Sequence, residues 1–298
     1  MAPELSSKQW ALSLTILSLM LGLSLYQFFQ ITGNDFSLSF LDVGQGDAIL
    51  IQTPEYRNIL IDAGPDGKVV EELSKKLNFF NQKIDLFIMT HPDLDHYAGI
   101  LDIFQKYPVR AVMMTGVGLD NQLYETFLSE LKTRDIPVIY PNSAKDLQIS
   151  RNLYLDFLYP FEGQDLIGRE PKNRNDTSIS LVIRDTAGQP LALLTGDAEE
   201  AEERDILLSG QDITAPIFKL GHHGSKTAST EQFLAAAQPE TVIVSAGIDN
   251  KFGHPHEETL ERIKGLNIFS TTSGTISFLQ YDSDTIPIIS HSYSTNID

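Results

Sequence analysis

Residues Thr90-His91-Pro92-Asp93-Leu94-Asp95-His96 place two histidines and two aspartates within six positions. The apolar run Leu86-Phe87-Ile88-Met89 leads straight into them, so the four side chains sit where a buried strand ends. Imidazole and carboxylate together suit borderline-to-hard divalent ions such as zinc, manganese or iron. A chain carrying such ligands must fold so that other strand ends converge on the same point. The competing reading is that one carboxylate caps a helix expected near Tyr97 to Gln105. A cap needs one carboxylate and leaves the second aspartate and both histidines unexplained.

The remaining histidines point the same way. Seven occur in 298 residues. Five fall in three clusters: His91 with His96, His222 with His223, and His254 in Gly253-His254-Pro255. His256 and His291 stand alone and receive no role. His222 and His223 follow the strand-like run Ala215-Pro216-Ile217-Phe218-Lys219-Leu220. His254 lies in a loop beyond Thr241-Val242-Ile243-Val244-Ser245. Two carboxylates also end strand-like runs, Asp62 after Asn58-Ile59-Leu60-Ile61 and Asp197 after Leu191-Ala192-Leu193-Leu194-Thr195-Gly196. Polar ligands at the ends of several buried strands give a rigid site.

These residues carry a family resemblance. His-x-[His/Asp]-x-Asp-His, a later strand-end aspartate and a later strand-end histidine resemble the metallo-β-lactamase-fold hydrolases. Phe40-Leu41-Asp42-Val43-Gly44-Gln45-Gly46-Asp47, Leu194-Thr195-Gly196-Asp197, Gly221-His222-His223-Gly224-Ser225 and the stretch from Ser245-Ala246-Gly247 through Asn250 to Gly253-His254-Pro255 resemble the C-terminal hydrolase domain of ComEC, the DNA-uptake competence channel protein. The resemblance runs from about Phe36 to Leu279. It implies an α/β fold, the αββα metallo-β-lactamase-like sandwich. It fixes the substrate less firmly, because one fold hosts many functions.

The resemblance also implies a site with two divalent metal ions, zinc or manganese. His91 and Asp93 would hold the first ion, and Asp95 and His96 the second. Asp197 would bridge them, and His223 would complete the second site. His222 is read as a substrate or proton-transfer contact, the order of the pair being open. Asp62 would lie behind the ligands, accepting hydrogen bonds that fix the loop from His91 to His96. Asp95, His222 and His254 carry the catalytic assignment, with a metal-activated bridging water as nucleophile. Ser225, Asn175 and Asn250 are candidate substrate contacts. For Asn173 and Asn175 a turn before a strand explains the residues equally well, as a helix cap near Thr230 does for the Ser/Thr cluster around Ser225. Gly44-Gln45-Gly46 reads both as a turn between strands and as a loop framing the cleft. The chain departs from the broader superfamily where Asp93 replaces histidine and where no histidine lies between His96 and His222. An oxygen-richer site brings manganese level with zinc.

The N-terminus adds a second feature. No charged residue lies between Lys8 and Asp35, and Trp10 to Phe29 is apolar except for Ser13, Thr15, Ser18, Ser24 and Gln27. As a helix, about 20 such residues span about 30 Å, enough for a bilayer core. We therefore expect residues 1–33 to be a membrane anchor or signal segment and residues 34–298 to be the hydrolase domain. An anchor is preferred to cleavage, because the basic flank is thin: Lys8 is offset by Glu4, although Gly22-Leu23-Ser24 offers a small-x-small site. Lys8 favours an inside N-terminus, which places the catalytic domain outside the cytoplasm, anchored or secreted.

Patterning elsewhere predicts strands near Ser37-Leu41, Ala48-Gln52, Asn58-Asp62, Leu86-Thr90, Ala111-Met114 and Val138-Tyr140. A second set is expected near Leu153-Leu158, Ser178-Ile183, Leu191-Thr195, Ile217-Leu220, Thr241-Ser245, Ile268-Thr271 and Thr275-Leu279. Helices are expected at Lys68-Leu77, Gln122-Thr133, Glu199-Leu208, Glu231-Ala237 and Glu257-Lys264. The run Glu199-Glu200-Ala201-Glu202-Glu203 reads as a solvated helix start.

Composition limits the function. Absence of cysteine excludes disulfides, thiolate zinc sites, a cysteine nucleophile and a lipid-anchored signal. Forty acidic residues against 22 basic ones give a net charge of -18. That charge opposes unaided binding to a polyanion unless the cleft is locally basic, for which Lys219, Lys226 and Lys251 are candidates. Phosphodiester hydrolysis with DNA as leading substrate is the first reading. A phosphoesterase for a small molecule or a cell-envelope polymer is the second, and a non-enzymatic binding module of a DNA-uptake assembly the third. Expected partners are the substrate and, through the N-terminal helix, a membrane; protein partners are not specified by the sequence.

Overall fold

A computed structural model describes residues 6–31, 36–280 and 288–291 of the chain. The first sheet begins with β1 Phe36–Phe40, β2 Ile49–Gln52, β3 Asn58–Ile61, β4 Leu86–Met89, β5 Val112–Met114 and β6 Val138–Ile139. The chain then builds a second sheet from β7 Leu147–Gln148, β8 Leu153–Tyr159, β9 Ser180–Asp185, β10 Pro190–Leu194, β11 Ile217–Lys219, β12 Thr241–Val244 and β13 Asn267–Ser270. It returns to the first sheet with β14 Ile276–Gln280 and β15 Ile288–His291. The strand orders are β15-β14-β1-β2-β3-β4-β5-β6 and β13-β12-β11-β10-β9-β8-β7.

Side-chain alternation explains the layering. Ile59, Ile61, Leu86 and Ile88 of the first sheet share one core with Leu155, Phe157, Leu181, Ile183, Ile217 and Ile243 of the second. Their in-strand neighbours point the other way. Leu60, Phe87 and Met89 pack with Val69, Leu73, Ile103, Phe104 and Phe127, which lie on helices Lys68–Lys76, Ile100–Lys106 and Gln122–Thr133. Phe218, Val242 and Val244 pack with Ile206, Phe233 and Leu234 on helices Glu200–Ser209 and Glu231–Ala237. Alternation with period two thus buries both faces of each sheet, and the αββα sandwich follows. Each large aliphatic side chain so buried contributes about 1.5–3 kcal/mol.

The strands that matter for the site run parallel. β3, β4, β5 and β6 pair in parallel, as do β10, β11, β12 and β13. Their carboxyl ends release Asp62, the segment from His91 to His96, Asp197, the pair His222 and His223, and the loop to His254. Open α/β sheets place ligands at such carboxyl ends.

The structure corrects several element boundaries. β7 and β15 are not among the expected strands. The helix expected from Tyr97 to Gln105 is instead two, Leu94–Tyr97 and Ile100–Lys106. The break at Gly99 has a packing cause. A Cβ there would lie 2.1 Å from the Ala63 carbonyl oxygen, and the Gly99 amide donates to the Gly64 carbonyl at 3.0 Å. The glutamate run at 199–203 is not solvated throughout. Glu202 and Glu203 are buried, accepting from Ser178 N and Ser180 Oγ, and from Ser229 N and Thr230 N, respectively. Burial raises both carboxyls above their usual range, although these hydrogen bonds oppose it.

Before the sandwich lies the helix Ser7–Ile31. Its stretch Ser7–Tyr26 is long and apolar enough to cross a membrane, and none of it is buried against the rest of the chain. The expected boundary at residues 33 and 34 falls outside the described residues.

Candidate metal centre

Asp47, His96, Asp197 and His223 are all buried, and one ligand atom from each lies within 4.8 Å of the others. His96 Nε2 is 3.2 Å and His223 Nε2 3.3 Å from the same atom, Asp197 Oδ2. Asp95 Oδ2 is a further 3.3 Å from His223 Nε2. His91 lies alongside, its ring centroid 4.2 Å from that of His96. His91 Nε2 is buried without a hydrogen-bond partner. That orphaned nitrogen, beside the imidazole and carboxylate donors of the cluster, fits the donor set of a metal site.

The backbone is shaped around this cluster. His222 (φ 45°) and His223 (φ 55°) are consecutive left-handed residues, and Asp62 (φ 58°) is a third. Such conformations are costly for non-glycine residues and persist where the surroundings impose them. Gly46 permits the other wall to close. A Cβ on it would fall 2.1 Å from the Asp95 carbonyl oxygen, and the Asp47 amide donates to that oxygen at 3.2 Å.

Asp62 sits behind the ligands. Its carboxylate accepts from Thr90 N at 2.8 Å, Thr90 Oγ1 at 2.7 Å and His96 Nδ1 at 2.7 Å. The bond to Nδ1 leaves His96 Nε2 to face Asp197. Ser178 Oγ accepts from Asp197 N at 3.1 Å and is 3.3 Å from His91 Nδ1. The buried Glu202, which accepts from Ser178 N, thereby steadies both residues.

Lys219 corrects the expectation of a basic cleft. It shares a strand face with Ile217 on β11, opposite to Phe218, so it points between the sheets, and it is fully buried. Its ammonium pairs with Asp47, bonds the Gly196 carbonyl at 3.0 Å and is 3.5 Å from Asp197 Oδ1. Lys226 and Lys251 are exposed. Lys219 therefore offsets carboxylate charge inside the site.

The charges are tightly coupled. Burial acts to lower His96 and His223, yet Asp197, with Asp62 for His96 and Asp47 for His223, holds both well above the ordinary histidine range. Burial likewise acts to raise Asp197, but His223, His96 and Lys219 hold it well below the usual carboxylate range. Asp95 is lowered against its burial by the bond to His223 and the charge on His96. His91 is pushed down to about 3 by burial and by the neighbouring His96. A pocket that stabilises positive charge on two imidazoles and an ammonium is one that attracts cations.

The other expected residues are spread around the cluster. Asp93 precedes the helix Leu94–Tyr97 but makes no side-chain cap. It pairs instead with Arg174 at 2.6 Å, outside the four-residue cluster. His222 is partly exposed, with Nε2 3.9 Å from Asp197 Oδ2 and Nδ1 2.8 Å from Glu199 Oε1. Asn175 Nδ2 lies 3.2 Å from His222 Nδ1, within the turn Asn175–Thr177. His254 is buried, its Nδ1 without a partner, and its ring centroid lies 5.2 Å from that of His222. Asn250 spends its amide on the loop itself, bonding the carbonyls of Gly247 and His254. Ser225 Oγ pairs with Thr227 Oγ1 at 2.9 Å, and Thr230 does cap the helix that follows it. His256, given no role, accepts from Lys226 N through Nδ1 at 3.0 Å.

Two site residues, Asp47 and Glu199, escaped the sequence reading, and Lys219 was read as lining a basic cleft rather than as a buried counter-charge. Asp47 stood in a quoted motif without a role. Lys219 sat in an apolar strand, where a buried ammonium demands carboxylate partners. Glu199 was absorbed into the glutamate run, yet it also accepts from Asn173 and Thr227.

The fold and this cluster define the class. The metallo-beta-lactamase superfamily matches residues 41–248, and the chain belongs to it. Within it, the curated relatives include competence proteins of the ComEC family. The chain is 28% identical over 261 residues to ComE operon protein 3 of Bacillus subtilis, covering 81% of this chain and 32% of that protein. It is 27% identical over 250 residues to the competence protein ComA of Neisseria gonorrhoeae, covering 82% and 32%. The chain thus spans about a third of the length of these relatives. Among solved structures, the metallo-beta-lactamase fold protein YhfI from Bacillus subtilis shares the fold, with a TM-score of 0.50 at 13% identity, covering 82% of this chain and 99% of that one.

Proposed function

We propose that this chain is a metal-dependent phosphodiesterase whose leading substrate is DNA, with its catalytic domain outside the cytoplasm. The observation that carries the reading is the buried set Asp47, His96, Asp197 and His223, whose ligand atoms lie within 4.8 Å of one another. Its similarity to competence proteins supports a DNA-related substrate. The apolar helix Ser7–Ile31 supports a membrane anchor or signal.

A bound divalent ion would supply Lewis acidity and a water acidified to near neutrality. Asp197, His96 and His223 offer three donors on one side, and Asp95 adds another carboxylate. His91 is the remaining nitrogen for a second ion. Asp93 joins it only by exchanging Arg174. Asp62 orients His96 and keeps its Nε2 directed at the cluster. Glu199 holds His222 through Nδ1, which presents the opposite nitrogen for proton transfer. His254 offers a hydrogen bond to a phosphoryl oxygen, and Lys219 balances carboxylate charge where a phosphodiester would add more.

The test is a substrate panel. Protein loaded with manganese or zinc is incubated with single-stranded DNA, duplex DNA, RNA and a bis-aryl phosphodiester. Cleavage of the phosphodiesters, and a loss of about 10²–10³-fold in His254→Ala with metal retained, is expected. Lactam hydrolysis without phosphodiester hydrolysis would overturn the assignment. Cleavage of the small diester alone would favour the second reading, which the net charge of -18 also supports.

A further inference from the structure

We propose that Phe252, with Lys251 beside it, is a stacking platform for the base adjoining the scissile phosphodiester of a single-stranded nucleic acid. The proposal rests on the phosphodiesterase reading above and narrows its substrate to a polymer with flat aromatic bases.

Three observations meet here. Phe252 is 49% exposed, yet its ring stacks on His254 with centroids 5.7 Å apart and planes 21° apart. His254 in turn lies 6.2 Å, ring to ring, from His223, so the exposed phenyl is two ring steps from the metal-capable cluster. The segment 247–253 is also held in one shape. Asn250 Oδ1 accepts from Phe252 N at 3.2 Å and His254 N at 3.0 Å, and Gly247 N donates to Gln45 Oε1 at 3.1 Å. Finally, Lys251 places its ammonium 4.9 Å from the Phe252 ring centroid.

A lone exposed phenylalanine is ordinary. One fixed by a side-chain-braced loop, stacked on a buried site histidine and paired with a cation is a different object. Single strands are held by aromatic faces that take the base and cations that take the backbone, largely without sequence preference. Lys251 can pass from the ring to a phosphate oxygen without backbone movement. In a duplex each base is already stacked on its neighbours, and a polyol-phosphate polymer has no flat face to offer.

The experiment uses manganese-loaded full-length protein and two fluorescent DNA strands. One is a short intact single strand; the other has the same backbone with abasic positions throughout. Binding is read by anisotropy and cleavage by electrophoresis on the same samples. Wild type is expected to bind the intact strand about 5–100-fold more tightly than the abasic one. That ratio should collapse toward one in Phe252→Ala and survive in Phe252→Trp, while Lys251→Ala should weaken both strands alike. A ratio near one in wild type, or one that Phe252→Ala leaves intact, overturns the platform even if both strands are cut. A ratio that follows Phe252 while neither strand is cut upholds the platform and refutes the phosphodiesterase reading.

Discussion

Replacing Lys219 with methionine isolates the electrostatic logic of the site. Methionine fills much of the same volume, so the loss is chiefly that of the ammonium. Lys219 is fully buried and is the cation that pairs with Asp47 and approaches Asp197 Oδ1 at 3.5 Å. Removing one partner of a buried pair leaves uncompensated charge and costs about 3–5 kcal/mol. At about 2–4 °C per kcal/mol for a domain of this size, metal-free Lys219→Met should melt about 6–20 °C below wild type. A divalent ion should then recover more of the melting temperature in the variant than in wild type, because it replaces the missing charge next to the same carboxylates. The assay is thermal unfolding in chelator and at saturating manganese or zinc. Equal melting temperatures in chelator would refute the counter-charge role, and an equal metal-induced rise in both proteins would refute the link to the ion.

Other expectations follow from individual contacts. Asp62→Asn removes the carboxylate that receives His96 Nδ1 and should weaken metal affinity about 10–100-fold, read by competition with a chromogenic chelator; unchanged affinity would show that Asp62 serves only the fold. Gly46→Ala brings a methyl into the Asp95 carbonyl and should lower both melting temperature and metal affinity, and melting curves like those of wild type would show that the wall yields easily. The pH dependence has a definite sign. His96 and His223 are raised from 6.5, so their contribution to metal-free stability is full below that value and fades as pH rises through their folded values. Asp197 is lowered from 3.8, so its contribution is present above that value and fades on acidification. Because metal binding requires neutral imidazoles, the melting-temperature gap between loaded and metal-free protein should widen from pH 5 to pH 9. A gap that narrows would contradict the assignment of these histidines.

Much of the fold was legible because both faces of each sheet are buried and the apolar runs are therefore dense. β4, β10 and β12 each announce themselves by such a run, and helices Gln122–Thr133 and Glu231–Ala237 fall where their patterning places them. β7 was not legible, since two residues at an edge have no period to read. The break at Gly99 was hidden because its cause is the approach of Ala63, thirty-six positions earlier. In the site, the histidine clusters and strand-end aspartates could be read because ligand chemistry is rare in apolar surroundings. Asp47 and Glu199 were given no role and Lys219 was assigned to an open cleft, because their meaning comes from partners distant in the sequence. A lysine in a strand and a glutamate in an acidic run look ordinary until the sheets are stacked. Asp93 illustrates the reverse case, where the motif suggests a ligand and the structure gives the carboxylate to Arg174.

The most direct test of the account is metal content measured together with turnover on the same samples. Wild type and Asp197→Ala are dialysed against manganese or zinc, analysed for bound ions and assayed on single-stranded DNA. Wild type should retain stoichiometric metal and cut the strand, two ions per chain if Asp93 exchanges Arg174 for metal and one if it does not. Asp197→Ala should lose metal and activity together while remaining folded. Wild type that binds no ion under either condition, or Asp197→Ala that cuts as fast as wild type, would contradict the claim that this cluster is a hydrolytic metal centre.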